Sequence, residues 1–248
     1  MFVIISPAKT LDETSVRLSL VASRPHFAEE ALQLVQLLRQ QGVSGLAGLM
    51  KLSPSLAELN MARMNRFVAD PDENSGKYAA LLYRGDTYAG LQAERWQEAD
   101  WQHAQHSLAI VSGLYGLLRP LDRIQPYRLE MSTRLGNAQG KDLYAFWGDR
   151  LRLLLCQWAG ERTVINLASE EYSKALAGLP MLTPVFQEQR ANGLQVIGLL
   201  AKRARGRMAD WIVRHRLNDP VALQAFCEEG YRYRADLSIA QRWHFVRP

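Results

Sequence analysis

The sequence predicts an α+β fold, in which residues 1–248 form a single domain with a mixed sheet and surrounding helices. Short apolar runs, typical of buried strands, are separated by longer segments with apolar residues at helical spacing. The two kinds of segment do not alternate regularly, as repeated βαβ units would. No linker-like tract divides the chain, so we expect one domain.

The predicted strands are short apolar runs bounded by turn residues. Phe2 to Ile5 opens the chain as a buried strand and ends at Ser6-Pro7. The other predicted strands are residues 79–83, 108–111, 163–167, 181–186, 194–200, 231–234 and 242–246. Residues 181–186 and 194–200 are expected to pair around a turn at 190–193.

The predicted helices have apolar residues three and four positions apart and recognisable end signals. Gly42 ends a helix over residues 25–41, and Ser53 followed by Pro54 starts a helix that runs to Phe67. The remaining predicted helices are residues 98–106, 142–158 and 202–216, with a short helix after 218–220.

The composition, with 48% hydrophobic and 22% charged residues, excludes a disordered chain. A chain of 248 residues buries roughly three quarters of its unfolded surface, so it needs no disulfide or metal to fold. Cys156 and Cys227 lack metal-ligand spacing and are expected to be reduced, buried thiols. The N-terminus has no basic leader, and no apolar run approaches the ~20 residues of a membrane span. We therefore expect a cytoplasmic protein without a membrane partner.

The net charge of +5 is a moderate excess that concentrates in residues 201–216, where six cations accompany one aspartate. On a helical wheel, an apolar band of Met208, Trp211 and Ile212 separates two basic edges. One edge holds Arg203, Arg207 and Arg214, and the other holds Lys202, Arg205 and Arg216. Such a helix packs on the protein through its apolar band and leaves both basic edges exposed, where they can bind phosphates. The alternative is a solvated surface helix whose long side chains cover apolar neighbours.

Residues 109–131 form the most distinctive segment of the chain. It combines two glycines, two prolines and three arginines: Gly113, Gly116, Pro120, Pro126, Arg119, Arg123 and Arg128. Glycine permits close backbone approach and proline fixes φ, so the segment is a shaped connection. With its guanidinium groups it could cradle an anion. Alternatively, the glycines serve tight packing and the arginines are solvated.

Two segments with Gly-x-x-Gly spacing, residues 43–51 and 111–119, resemble helix-hairpin-helix turns that present N–H groups to a phosphate. The first is predicted to lie between two helices, and the second follows a strand. A packing turn is the alternative for each.

The loop Ser6–Thr10 follows the first strand directly, a favoured place for ligand-binding groups. Lys9 in this loop could contact a phosphate or, if desolvated, act as an amine nucleophile. His103 and His106 are three residues apart, but no cysteine or carboxylate stands at confirming spacing, so we expect no metal site. No Walker or dinucleotide fingerprint is present, so no cofactor is expected.

Seven blocks of the sequence, in order from end to end, resemble the bacterial peroxide stress protein YaaA family. They include Ser-Pro-Ala-Lys-Thr-Leu, Ser-Gly-Leu-Tyr-Gly-Leu-Leu-Arg-Pro-Leu-Asp and Ala-Lys-Arg-Ala-Arg-Gly-Arg-Met. The blocks span residues 5–11, 85–91, 112–122, 125–131, 140–149, 165–172 and 201–208.

The resemblance implies a cytoplasmic protein, induced by hydrogen peroxide, that limits oxidative damage by lowering unincorporated iron. It also implies DNA binding, an unusual mixed fold with a positively charged cleft, and a helix-hairpin-helix element. No catalytic reaction is attached to the family.

We therefore predict a protein that binds DNA largely independently of sequence and whose link to iron is indirect. The predicted DNA-binding residues are Lys9, Arg84, Gly113, Tyr115, Gly116, Arg119, Arg128, Lys202, Arg203, Arg205 and Arg207. The alternative is an enzyme acting on a nucleobase or nucleotide, in which Tyr115 stacks on a base and Lys9 or Asp142 supplies the chemistry. The catalytic residues of such an enzyme are unknown. Direct iron storage lacks a carboxylate–histidine cluster of ferritin-like spacing.

Overall fold

Regular elements cover most of the chain that the structure, a computed structural model, describes: residues 1–14, 16 and 19–248. The strands are β1 Phe2–Ile5, β2 Thr10–Leu11, β3 Lys77–Tyr78, β4 Tyr83–Arg84, β5 Leu108–Ser112, β6 Gly116–Leu118, β7 Arg123–Ile124, β8 Val164–Leu167, β9 Met181–Arg190, β10 Gly193–Gln195, β11 Arg232–Ile239 and β12 Arg242–Arg247. The helices are α1 Ala28–Gln40, α2 Gly42–Met50, α3 Pro54–Arg66, α4 Ala79–Leu82, α5 Asp86–Leu91, α6 Glu98–Ser107, α7 Leu143–Trp147, α8 Arg150–Ala159, α9 Glu170–Ser173 and α10 Gly198–Arg214.

An eight-stranded mixed sheet organises the molecule, with the order β11-β12-β9-β8-β1-β5-β6 and β10 paired to β9. The strands from β12 to β5 in this order are mutually parallel, whereas β6, β10 and β11 pair antiparallel with their neighbours. All four residues of β1 are buried. Its uninterrupted Phe-Val-Ile-Ile run is typical of a strand inside a sheet that is covered on both faces.

A single hydrophobic core joins the sheet to the helices, with Trp101, Trp147 and Tyr115 among its largest fully buried side chains. The α+β class, the single domain and the mixed sheet with surrounding helices are therefore confirmed. No helix in the described ranges is both long and apolar enough to cross a membrane.

Most helix boundaries follow the predicted end signals. Ser53 caps α3, since its Oγ accepts a hydrogen bond from the Leu56 N–H at 3.4 Å, and Pro54 occupies the first helical position. Gly42 has φ +64°, a left-handed conformation in which glycine carries no Cβ penalty, and α1 ends two residues before it. These short-range signals depend on neighbouring residues alone, which explains why the sequence predicts them.

The strand predicted over residues 79–83 is wrong, because Ala79–Leu82 forms the short helix α4. Alanine and leucine favour the helix. The free N–H groups of its first turn are satisfied from elsewhere, as the amides of Ala79 and Ala80 donate to the carbonyls of Asp122 and Pro120 at 2.8 and 3.2 Å. Only Tyr83 and Arg84 extend into a strand, β4.

Two other predicted elements are shorter than the sequence predicts. The helix predicted over residues 142–158 is divided into α7 and α8 because Gly148 adopts φ +49° between them. The strand predicted over 194–200 stops at Gln195, and Leu199 and Leu200 instead enter the first turn of α10, which begins at Gly198.

The two predicted hairpin turns have other conformations. Residues 43–51 are not a hairpin between helices, since Gly42–Met50 is itself the helix α2. Residues 111–119 are a β-hairpin in which Val111 pairs with Leu117, not a connection that leads into a helix. In both segments the Gly-x-x-Gly spacing therefore occurs without helix-hairpin-helix geometry.

A buried carboxylate fixes the turn that follows β6. Asp122, 2% exposed, accepts hydrogen bonds from the Ser23 hydroxyl at 2.6 Å and the Arg119 amide at 2.7 Å. Burial raises the pKa of Asp122 from its ordinary 3.8 to about 6, although these two donors oppose the shift. Between these pH values the folded chain binds more protons here than the unfolded chain. The stability contribution of Asp122 therefore falls as the pH rises through this window.

We expect Asp122→Asn to remove this dependence. The wild type should lose on the order of 3 kcal/mol of stability between pH 4 and pH 7 that the variant does not lose, so the variant should become more stable relative to the wild type as the pH rises. Urea unfolding of both proteins at the two pH values measures the difference. Glu58→Gln, at an exposed position, is the control, and an equal pH dependence of wild type and Asp122→Asn would contradict the assignment.

Candidate functional site

A cavity of about 280 Å³ lies where two parallel strands of the sheet end. Ser6 follows β1 and Ser169 follows β8, and both line the cavity. The Ser169 amide donates to Ser6 Oγ at 2.8 Å, which ties the two strand ends together. The carboxyl edge of parallel strands is where α/β sheets characteristically bind ligands.

Five cationic side chains from four separate segments line this cavity. They are Lys9, Arg84, Arg128, Lys202 and Arg205. All five were predicted to bind DNA. The carboxylates that share the lining are Asp86 and Glu130, so positive charge is in excess at this edge of the sheet.

Three of the five cations have carboxylate partners. Glu130 bridges two of them, at 2.8 Å from Lys9 Nζ and 3.3 Å from an Arg128 terminal nitrogen. Arg84 pairs with Asp12 at 2.7 Å. Hydrogen bonds from the Thr14 hydroxyl and amide, assisted by the charges of Lys77 and Arg84, hold the pKa of Asp12 well below its ordinary range. Asp12 is therefore a permanent anion that fixes Arg84 at the rim.

The other two cations, Lys202 and Arg205, have no carboxylate within ion-pair distance in the part of the chain that the structure describes. Arg205 is partly buried, and this burial lowers the pKa of its guanidinium. Arg128 contributes a further unsatisfied group, because its Nε is buried and has no hydrogen-bond partner among the described residues. Buried donors without acceptors are costly, so the cavity is suited to an anion.

The position of α10 depends on a close contact with α5. A Cβ on Gly206 would lie 1.8 Å from the Thr87 carbonyl oxygen, and one on Gly90 would lie 2.2 Å from that of Arg203. Only glycine allows the two backbones to approach this closely. The contact holds Lys202 and Arg205 in the cavity lining together with Gly85, Asp86 and Thr87.

The basic edge of α10 that holds Arg203 and Arg207 is paired with carboxylates. Arg203 pairs with Glu229 and Arg207 with Glu228, both at 2.7 Å. Arg207 also donates to the Gln92 side chain at 2.7 Å. The structure therefore separates these two predicted DNA-binding arginines from Lys202 and Arg205, although all four lie within six consecutive residues.

The remaining predicted residues pack in the interior or on another face. Tyr115 is 1% exposed, and its hydroxyl accepts a hydrogen bond from the Gln125 amide at 3.1 Å, so its ring has no free face for a base. A Cβ on Gly113 would lie 2.4 Å from the Leu129 carbonyl oxygen, and Gly116 has φ +68°. Arg119 lies over the Trp158 ring, 4.4 Å from its centroid. The geometry at the two glycines fits the packing alternative.

Asp142, a candidate acid/base group in the enzyme alternative, caps α7 by accepting from the Ala145 amide at 2.9 Å. Two tyrosines that were not predicted do line the cavity, Tyr127 and Tyr172. The Tyr127 hydroxyl shares hydrogen bonds of 2.6 Å with the hydroxyls of Tyr83 and Ser112. The signal that could have identified Ser169 is its place directly after a buried strand, the same signal that selected Lys9.

A larger cavity of about 730 Å³ is lined by Arg63, Arg66, Lys77 and Arg123, among others. It contains none of the predicted DNA-binding residues. Unpaired cations do not distinguish the two cavities, since Arg66 and Arg123 in the larger one also lack a carboxylate partner among the described residues. The smaller cavity is the better candidate site because it lies at the strand ends and gathers five of the predicted residues.

Comparison with known proteins shows the family to which the chain belongs. The family model described as peroxide stress protein YaaA matches residues 1–237. The chain belongs to this family. A UPF0246 protein of Magnetococcus marinus is 47% identical over 255 residues, covering 100% of this chain and 99% of that protein. UPF0246 proteins of Aromatoleum aromaticum and a Janthinobacterium species are 43% and 41% identical over 100% of this chain, covering 99% and 98% of those proteins.

The family resemblance and the cavity coincide in the structure. Of the seven sequence blocks that resemble the family, residues 5–11, 85–91, 125–131, 165–172 and 201–208 contribute to the cavity lining. The other two blocks, 112–122 and 140–149, contain the buried hairpin and α7. Five of the seven blocks therefore contribute to one cation-rich cavity.

We expect Gly206→Ala to separate α5 from α10, because the added methyl group would overlap the Thr87 carbonyl. Overpacking of this kind costs about 1–3 kcal/mol, and more where backbone must move. Thermal unfolding measures the loss. Gly198→Ala, in the same helix, is the control and should be neutral, because its added methyl group would meet nothing within 4 Å. Equal stability of the two variants would contradict the proposed contact.

Proposed function

We propose that this member of the peroxide stress family binds DNA largely independently of sequence through the cation-lined cavity and its rim. The observation that carries the proposal is the meeting of Lys9, Arg84, Arg128, Lys202 and Arg205 at one edge of the sheet. Cations gain affinity for nucleic acid mainly by releasing counterions from phosphates, which requires no base-specific contact.

Protection against peroxide would follow from occupancy of the phosphate backbone. Bound protein would shield the DNA, or would keep iron away from the phosphates at which it generates oxidants. In this proposal the link to unincorporated iron is indirect, and the protein acts at the DNA and not as an iron store. The family membership supports the peroxide-stress part of the proposal.

DNA affinity should depend steeply on salt. If about four phosphates are contacted, the affinity should fall about 100-fold between roughly 50 and 200 mM salt. Fluorescence anisotropy with two duplexes of unrelated sequence measures this, and the two affinities should agree. An affinity that does not change with salt would rule out the proposal.

The double variant Lys202→Ala with Arg205→Ala tests which cations are responsible. It should lower the slope of log affinity against log salt by about two, because two phosphate contacts are lost. Arg203→Ala is the matched control from the same helix, since Glu229 already neutralises that side chain. The control should change the affinity by no more than about threefold.

The second candidate function, an enzyme acting on a nucleobase or nucleotide, draws support from the Lys9–Glu130 pair in the cavity. Lys9 Nζ lies 2.8 Å from a Glu130 oxygen, so the cavity brings together a lysine and a carboxylate, two residue types used in acid–base and nucleophilic catalysis. Incubation with duplexes containing oxidised bases or an abasic site tests it. Released base or strand breaks that Lys9→Ala abolishes would support an enzyme, and binding without product would exclude these reactions.

A further inference from the structure

We propose that the cavity binds a phosphate monoester, either as a free nucleotide or as a phosphorylated DNA end. This inference deepens the proposed function. It rests on the proposed function only where the monoester is a DNA end, because a free nucleotide would bind without DNA. Its basis is the size of the cavity, the number of its unpaired charges and the unsatisfied donor of Arg128.

Size excludes the duplex itself from the cavity. A volume of about 280 Å³ is at the lower end of the range for small-molecule sites. A DNA duplex, whose major groove alone is about 12 Å wide, cannot enter such a space. DNA bound at the rim can therefore place only one small group inside, such as a terminal phosphate with part of its nucleotide.

Charge favours a monoester over an internal phosphodiester. Lys9 and Arg128 share Glu130, and Arg84 pairs with Asp12, which leaves Lys202 and Arg205 without a carboxylate among the described residues. A monoester carries a charge of about −1.5 to −2 near pH 7, whereas each internal phosphate carries one negative charge. The five cations of the lining stand against three carboxylates, which are Asp86 and Glu130 in the lining and Asp12 beside Arg84. The remaining excess of two positive charges matches the first ligand and leaves one charge in excess for the second.

Hydrogen bonding points to the same ligand. Arg128 lines the cavity, and its Nε is buried without a partner in the described part of the chain, so this guanidinium has a donor left for an acceptor. A monoester has three terminal oxygens that can accept from several donors at once. Arginine suits this role because its planar group pairs with phosphate in a fixed geometry.

Isothermal titration calorimetry of the full-length protein tests the ligand class with four compounds. Deoxyadenosine 5′-monophosphate should bind, whereas deoxyadenosine should show no detectable binding. The dinucleoside monophosphate with hydroxyl ends should bind at least about tenfold more weakly than the mononucleotide, because it carries a single diester charge. Inorganic phosphate should compete with the mononucleotide. Equal affinity for the monoester and the diester would overturn the proposal.

The DNA source is tested with two duplexes of one sequence, carrying either 5′-phosphate or 5′-hydroxyl ends. A phosphorylated end that binds at least about tenfold more tightly identifies the DNA end as a ligand, and mononucleotide should abolish that difference. Equal duplex affinities together with mononucleotide binding assign the pocket to free nucleotides. Equal duplex affinities without mononucleotide binding overturn the pocket and leave the DNA-binding function intact. Mononucleotide binding without duplex binding contradicts the DNA-binding function alone.

Two variants connect this behaviour to the residues. Arg205→Gln should weaken mononucleotide binding at least about tenfold, and Arg203→Gln, on the neutralised edge of the same helix, should not. Arg128→Lys keeps the charge but removes the buried Nε–H, so it should also weaken binding if that donor meets the phosphate. Thermal unfolding of each variant identifies any that fails to fold, and full affinity in folded Arg205→Gln and Arg128→Lys would overturn the assignment.

Discussion

The close approach of α5 and α10 is the constraint on which the site depends. Gly90 and Gly206 bring the two backbones into direct contact, so neither helix can shift along the other without collision. Because α10 is held in this way, its cationic side chains extend in two different directions. Lys202 and Arg205 face the cavity, while Arg203 and Arg207 reach the carboxylates of the 3₁₀ turn Glu228–Gly230. One contact between two glycines thus decides which charges of a basic helix remain uncompensated.

The sheet supplies the other half of the site. Parallel neighbours deliver their carboxyl ends to a common edge, and the hydrogen bond between Ser6 and Ser169 joins the loops that leave β1 and β8 there. The tyrosines beneath these loops are fixed by buried hydroxyl contacts, including those of Tyr127 with Tyr83 and Ser112. These hydrogen bonds fix the part of the cavity lining that Tyr127 contributes.

Local signals made much of the fold predictable from the sequence. The apolar run Phe2–Ile5 and the Ser53-Pro54 cap depend on neighbouring residues, and both elements lie where the sequence predicts them. The segment at 79–83 was not predictable in this way, because α4 is stabilised by carbonyls some forty residues away. The Gly-x-x-Gly spacing also gave a wrong prediction of helix-hairpin-helix turns, since the same short pattern lies inside α2 and in a β-hairpin.

The site was predictable as a set of residue types but not as a geometry. A helical wheel separates the two edges of the basic segment. It cannot show that Glu228 and Glu229, which lie later in the chain, form ion pairs with one of these edges. The burial of Tyr115 was equally hidden, because glycines on both sides of an aromatic ring are compatible with exposure and with close packing. The position of Lys9 was better predicted, since a loop that directly follows a buried strand lies at the edge of the sheet where that strand ends.

The position of Glu130 between Lys9 and Arg128 makes this carboxylate an internal competitor for any arriving anion. An incoming group does not simply add its attraction to that of the five cations, because it exchanges with a negative charge already in place. The net gain is the difference between two sets of ion pairs, which keeps the complex reversible. Under the proposed function, this competition would give the protein a means of leaving DNA once the oxidative challenge has passed.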